Sequence, residues 1–287
     1  MNNTIQLVEC PRDAMQGIHQ FIDTDKKISY INNLLKCKFD TLDFGSFVSP
    51  KAIPQMRDTA DVLEELDLSA SNTKLLAIIA NVRGAEDAMQ FEEISYLGFP
   101  FSISETFQQR NTNSSIAESL QRVQEIQNLC LKNRKTLVVY ISMAFGNPYG
   151  DVWNADIAVQ WTKRLSDMGI KIIALSDTIG VSNPASISNL FTSIIPEFPN
   201  LTIGAHLHTT PDSWKEKVEA AYNSGCRRFD HAIRGFGGCP MATDKLTGNM
   251  PTEKVLEFFA EKKIATGIDK KQFGIAMEEA GLIFPRE

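Results

Sequence analysis

The sequence predicts an α/β protein, a (β/α)8 TIM barrel with additional C-terminal helices, on three observations. Short apolar runs recur eight times along its 287 residues. The stretches between most of them carry a helical period. One such barrel takes roughly 250 residues, so the chain accommodates it as a single domain over 1–287.

The first five runs fall at 5–10, 39–44, 75–80, 94–101 and 137–143, and three more at 170–175, 201–207 and 227–233. Between the fourth and fifth, Ser115-Ile-Ala-Glu118 reads as a capping box, with Ile116, Leu120, Val123, Ile126 and Leu129 on one helical face. After the sixth, Asn183-Pro184 supplies an N-cap and a first-turn proline. Gly225 closes a helix that begins near Asp212, just before the eighth run. Residues 252–263 and 270–280 read as helices that cover the barrel. Such alternation implies parallel strands with helical crossovers, and eight units in about 240 residues favour a closed barrel over an open doubly wound sheet. No G-x-G-x-x-G follows the first run and no G-x-x-x-x-G-K-[ST] occurs, which argues against a nucleotide-binding open sheet.

Composition excludes several classes of function. Hydrophobic residues make up 43% and charged residues 22%, as in an ordinary folded protein. A net charge of −6 without a Lys/Arg-rich run leaves no electrostatic footprint for nucleic acid or an anionic membrane, so the expected partner is a small molecule. The five cysteines (Cys10, Cys37, Cys130, Cys226 and Cys239) are scattered without a Cys-x-x-Cys spacing, which fits a reducing cytoplasm. The first apolar run starts almost at Met1, and no stretch reaches the length of a membrane span, so a complete, cytoplasmic, soluble protein is expected.

Barrel enzymes place their chemistry at the C-terminal ends of the strands. Here the first run leads into Arg12-Asp13, the second contains Asp43, the sixth leads to Asp177, the seventh ends in His206-Leu207-His208, and the eighth precedes Gly235-Phe236-Gly237-Gly238-Cys239-Pro240. Alternate strand residues share a face, so His206 and His208 can aim into the barrel together, as metal ligands do; two histidines satisfied by carbonyls are the alternative. Asp13 supplies a hard anionic ligand beside them, or else caps a helix. Cys239 lies in a glycine-rich loop where the backbone can approach a ligand and a thiol can donate a proton. The other four cysteines read as buried and inert.

Five segments in this order resemble 3-hydroxy-3-methylglutaryl-CoA lyase, in the metallolyase branch of barrel enzymes. They are residues 10–16 (CPRDAMQ), 45–51 (GSFVSPK), 175–181 (LSDTIGV), 206–208 (HLH), and 235–240 (GFGGCP) with 247–249 (TGN). The resemblance implies a divalent cation, Mg or Mn, held by Asp13, His206, His208 and Asn249. It implies substrate polarisation by Arg12, an acidic residue at Asp43 and proton transfer by Cys239. The implied reaction is retro-Claisen cleavage of 3-hydroxy-3-methylglutaryl-CoA to acetyl-CoA and acetoacetate, with Asp43, His206 and His208 all open as the base. Asp177, Ser46, Asn81 and Arg83 are candidates for holding the acyl-CoA substrate, whereas Lys51 reads as a solvated surface residue. A homodimer is also implied.

The chain departs from the family pattern at Ala14, where Gly is usual, at Asp43, where Glu is usual, and at Thr209, where Asp commonly stands. His231 and Arg234 are likewise unexpected. Shortening Glu to Asp at position 43 withdraws a carboxylate by one methylene, which bears on the acyl group accepted. Rival readings are a Claisen-type synthase or aldolase of the same branch, disfavoured by Cys239, and a metal-dependent hydrolase, whose His-x-His usually lies on the first strand. A barrel without catalysis, acting as a binding subunit, is a rival of another class.

Overall fold

Parallel strands buried on both faces read as unbroken apolar runs, and the eight runs of the sequence become eight such strands. The computed structural model describes residues 4–238 and 247–284. The strands are β1 (Gln6–Glu9), β2 (Thr41–Ser46), β3 (Lys74–Ile78), β4 (Ile94–Ser102), β5 (Thr136–Ser142), β6 (Ile172–Asp177), β7 (Thr202–Thr209) and β8 (Arg228–His231). Each pairs in parallel with its neighbour in sequence, and β8 pairs with β1, so the ring closes. The fold is a (β/α)8 barrel.

Strand alternation divides the buried residues in two. Leu76, Val138, Tyr140 and Ala174 fill the barrel interior. Leu75, Val139, Ile173 and Phe229 face outward into the larger core beneath the helices. Those helices are α1 (Pro11–Gln16), α2 (Thr24–Lys36), α3 (Thr59–Glu64), α4 (Val82–Ala88), α5 (Glu105–Thr112), α6 (Ile116–Lys132), α7 (Ala155–Asp167), α8 (Pro184–Ile194), α9 (Trp214–Asn223), α10 (Thr252–Glu261) and α11 (Lys270–Ile283). None of the described helices is long and apolar enough to cross a membrane.

The local signals act as expected. Ser115 and Glu118 form both halves of the capping box on α6. Asn183 caps α8, with Pro184 in its first turn. Gly225 follows α9 with φ +98°, a conformation glycine adopts without steric cost. Two elements carried no signal in the sequence. One is α1, six residues long, which turns directly out of β1 with Pro11 at its start and carries Arg12 and Asp13 in its first turn. The other is a short strand, β9 (Gly248–Asn249), which pairs antiparallel with the end of β7.

Candidate active site

The site forms where β1, β2 and β7 open at the top of the barrel. Oxygen and nitrogen atoms of Asp13, His206 and His208 lie within 4.8 Å of one another. The His206 and His208 rings stand 5.4 Å apart, as expected of residues i and i+2 on one strand.

Each imidazole is oriented through its Nδ1. His208 donates to the Thr178 carbonyl at 2.9 Å. His206 meets Asp230 at 3.3 Å. A histidine whose Nδ1–H is engaged by a carbonyl or carboxylate presents an Nε2 lone pair, the arrangement that outer partners impose on metal-binding histidines. His208 Nε2 is buried and has no hydrogen-bond partner. A buried polar atom left so is costly unless a ligand satisfies it.

Electrostatics divides the two histidines. Burial and the charge of His206 bring His208 down to about 4, so it is neutral at pH 7. Burial also opposes charge on His206, but the bond and charge of Asp230 outweigh it and its pKa is raised. At Asp13, burial pushes the carboxyl up, yet Arg12, both histidines and the Asn249 amide overcome it and hold it at about 2. One ionised carboxylate and two imidazoles thus converge on one point, a donor set suited to a divalent transition metal or Mg.

Asn249 joins them. Its backbone lies opposite His208 in the β7–β9 register, and directly opposed residues of an antiparallel pair project from the same face. Its Nδ2 donates to Asp13 Oδ2 at 2.7 Å and to the Phe236 carbonyl at 2.8 Å. The glycines of the loop permit this closeness. A Cβ on Gly237, at φ +84°, would sit 2.4 Å from the Asp13 carbonyl oxygen. Cys239 lies outside the described residues; Gly238, just before it, lines the cavity.

Arg12 and Asp43 form the second part of the site. The Arg12 Nε lies 3.2 and 3.1 Å from the two Asp43 oxygens, Nη2 meets Asp43 again, and Nη1 meets Asp13 at 2.9 Å. Burial dominates Asp43 and, against the pull of Arg12, leaves its carboxyl at about 6. Two adjacent aspartates therefore differ widely in basicity, as acid–base sites require.

A cavity of about 280 Å³ opens beside these groups; Asp43 does not line it but binds Arg12, which does. Arg12, Asp13, Ser46, His206 and His208 line it, opposite an apolar wall that includes Val48, Ile53, Ile78 and Phe107. The hydroxyls of Ser46 and Ser176 are buried without partners. A second groove, lined by Asn81, Arg83, Asn113 and Arg122, shares Ala80 and Thr112 with the cavity and so continues it outward. Asn81 also caps α4, accepting from Gly84 N at 2.9 Å.

Asp177 is placed differently from expectation. It does not line the cavity: its neighbour Ser176 does, and adjacent strand residues face opposite ways. Its carboxylate binds Lys217 at 2.8 Å, and the same ammonium donates to the His208 carbonyl at 2.8 Å, so Asp177 acts on the backbone that carries His208. His231 is likewise turned outward, held by Glu9 at 3.0 Å and Thr252 at 2.9 Å. Cys10, Cys37, Cys130 and Cys226 are all buried, and burial raises each thiol.

Sequence reasoning missed Asp230, which orients His206, and Gln16, whose Nε2 donates to Asp13 Oδ1 at 2.7 Å. The first had a signal in the alternating polar pair Arg228 and Asp230, unusual in a buried strand. The second had one in its spacing from Arg12, four residues along α1.

The fold and the cluster define a (β/α)8 enzyme whose site, at the C-terminal mouth of the barrel, brings together side chains that could hold a cation beside an arginine–carboxylate pair. A model of the HMGL-like family matches residues 5–278. Hydroxymethylglutaryl-CoA lyase YngG of Bacillus subtilis is 32% identical over 258 residues, covering 90% of this chain and 85% of that protein. The 3-hydroxy-3-isohexenylglutaryl-CoA/hydroxymethylglutaryl-CoA lyase of Pseudomonas aeruginosa is 34% identical, covering 92% of this chain and 88% of that protein. Among solved structures, an HMG-CoA lyase from Acinetobacter baumannii in complex with coenzyme A and 3-methylmalate superposes with a TM-score of 0.89 at 28% identity, covering 98% of this chain and 91% of that one. The chain belongs to the HMGL-like family and is a carbon–carbon lyase.

Proposed function

We propose that the protein cleaves 3-hydroxy-3-methylglutaryl-CoA to acetyl-CoA and acetoacetate, using a divalent cation, Mg or Mn, held by Asp13, His206, His208 and Asn249. The observation that carries the reading is the buried, unpartnered Nε2 of His208, aimed at the ionised Asp13 and at His206. Bound there, such a cation supplies Lewis acidity to substrate oxygens and lowers the pKa of a hydroxyl.

The reaction removes the C3 hydroxyl proton, breaks the C2–C3 bond and passes its electron pair into the thioester as an enolate, which then takes a proton at carbon. Asp43, at about 6, is basic enough to accept the hydroxyl proton near neutral pH. His206, whose Nδ1 faces Asp230 and whose Nε2 is assigned to the cation, has no lone pair left for this proton. Arg12 is fixed by Asp43 and Asp13, so its guanidinium meets negative charge on the thioester or carboxylate oxygen without reorganising. Cys239 delivers the proton to carbon. Ser46 offers a hydroxyl to the acyl group, and Arg83 and Arg122 of the outer groove, which Glu118 and Glu125 also line, offer positive charge to the phosphates of CoA; Asn81 lines the same groove. Asp177 supports the site through Lys217 and makes no contact with substrate.

The test is acetoacetate release from 3-hydroxy-3-methylglutaryl-CoA with Mg or Mn, for wild type and Cys239→Ala. Wild type turns over and Cys239→Ala loses most activity. Full activity in Cys239→Ala would remove the proton-donor role. An inactive wild type that cleaves a larger 3-hydroxyacyl thioester, such as the isohexenyl compound named for the Pseudomonas relative, would keep the chemistry and replace the substrate.

A further inference from the structure

Beyond the ligands, the structure links the site to α11, an element with no residue in the cavity. Phe284, the residue after α11, is 3% exposed and stacks on Phe236 of the glycine-rich loop, with ring centroids 4.6 Å apart and planes at 26°. Tyr30 of α2 meets the same ring edge-on at 5.8 Å. The carbonyl of Phe236 accepts from Asn249 Nδ2 at 2.8 Å.

Together with the bond to Asp13 Oδ2 at 2.7 Å, that bond sets which end of the Asn249 amide can serve a cation. A carbonyl accepts only the NH2 end, so it holds the nitrogen to itself and keeps the amide oxygen, the one atom of that side chain able to ligate a metal, on the other side. The turn's own backbone holds the peptides before the Phe236 carbonyl, Gly235 N donating to the Ala232 carbonyl at 2.9 Å and Phe236 N to the Ile233 carbonyl at 3.3 Å. Gly237, at φ +84°, follows that carbonyl, and without a Cβ it restrains the Phe236–Gly237 peptide least. A contact from outside the loop can add to this hold. The Phe236 ring on Phe284 does so, and the same turn is tied down twice more: Arg234 N donates to Glu253 at 3.0 Å, and its Nη2 to the Met277 carbonyl at 3.2 Å.

We propose that Phe284 is a positioning residue for the metal site, acting through Phe236 to hold the Asn249 amide in its ligating orientation. The proposal rests on the reading of Asp13, His206, His208 and Asn249 as a cation site. It gives α11 a role in cation affinity in addition to covering the barrel.

The experiment measures Mn²⁺ affinity of the purified, metal-free full chain by titration calorimetry, for wild type, Phe284→Ala, Phe284→Tyr and Phe273→Ala. Phe273 sits on the same helix and packs on Phe39 at 6.3 Å, away from the loop, so its loss weakens the docking of α11 without touching Phe236. Phe284→Ala is expected to bind Mn²⁺ about tenfold more weakly, at the low end of the effect of removing a ligand's outer support. Phe284→Tyr keeps the ring and restores the affinity, while Phe273→Ala lowers the melting temperature and leaves the affinity unchanged. Wild-type affinity in Phe284→Ala overturns the proposal alone, as does an equal loss in Phe273→Ala. If Phe284→Ala does not fold, Phe236→Leu, which removes the partner ring from the exposed side, must show the same weakening or the proposal fails. A wild-type chain that binds no Mn²⁺ overturns the cation site and this proposal with it.

Discussion

Replacing Asp230 with asparagine separates the electrostatic support of the site from its shape. The carboxylate is fully buried and serves two partners, Arg228 Nη1 at 2.7 Å and His206 Nδ1 at 3.3 Å. Burial opposes its charge, but Arg228 and the His206 bond win, and its pKa lies below the usual carboxylate range. Asparagine keeps an acceptor oxygen and removes the charge. His206 then loses the anion that raises its basicity, which for an outer partner of a ligand costs about 10- to 100-fold in metal affinity, or about 1.4–2.7 kcal/mol. Arg228, only 4% exposed in its side chain, loses its ion-pair partner. Breaking a buried pair on one side costs about 3–5 kcal/mol, and at roughly 2–4 °C per kcal/mol the melting temperature falls by about 6–20 °C. Calorimetric titration with Mn²⁺ and thermal unfolding read the two losses separately. Adding Arg228→Met to Asp230→Asn removes the stranded cation, so melting recovers while Mn²⁺ affinity stays low. Wild-type Mn²⁺ affinity in Asp230→Asn would refute the account of how His206 is held.

Three further outcomes are expected. Because a ligating imidazole must be neutral and the His206 pKa is raised, Mn²⁺ binding strengthens as pH rises through and above 6.5 and releases a proton, seen as a buffer-dependent heat; a pH-independent affinity from pH 6 to 8 contradicts this. If Asp43 is the base, the ascending limb of the kcat/KM profile lies near its pKa of about 6 and disappears in Asp43→Asn; its persistence there transfers the role to another group. Lys217→Met strands Asp177 and releases the His208 carbonyl, costing about 3–5 kcal/mol in a denaturant titration, and a loss under 1 kcal/mol would show that the pair matters little.

The barrel was legible in the sequence because strands covered on both faces are mostly apolar, and the runs stand out even where β2 and β8 carry buried charges. The capping box at Ser115 and the N-cap at Asn183 marked helix starts in the sequence for a local reason: an oxygen must meet the orphan N–H groups of the first turn. That His206, His208 and Asp13 meet at one mouth of the barrel was legible from spacing and strand-end position. What was not legible depends on which way a side chain turns. Asp177 ends a strand, much as His206 and His208 do, yet it faces outward with Leu207, its register partner, while Ser176 and His206 face in. Asp230 was hidden inside a run read as apolar, paired with an arginine in the barrel interior. Asn249 stands 41 residues beyond His208 in sequence and meets it through a two-residue strand, too short to leave a period; only the family resemblance pointed to it. Glu9 and His231, which bind each other at opposite ends of the chain, show the same limit.

The most direct test of the central claim is anomalous diffraction at the manganese edge from crystals grown with Mn²⁺. The account predicts one strong peak per chain, about 2.0–2.3 Å from Asp13, His206 Nε2 and His208 Nε2, with the Asn249 oxygen completing the protein ligands. A map with no peak there, or a peak instead between Cys10 and Asp230 on the far side of His206, would contradict it.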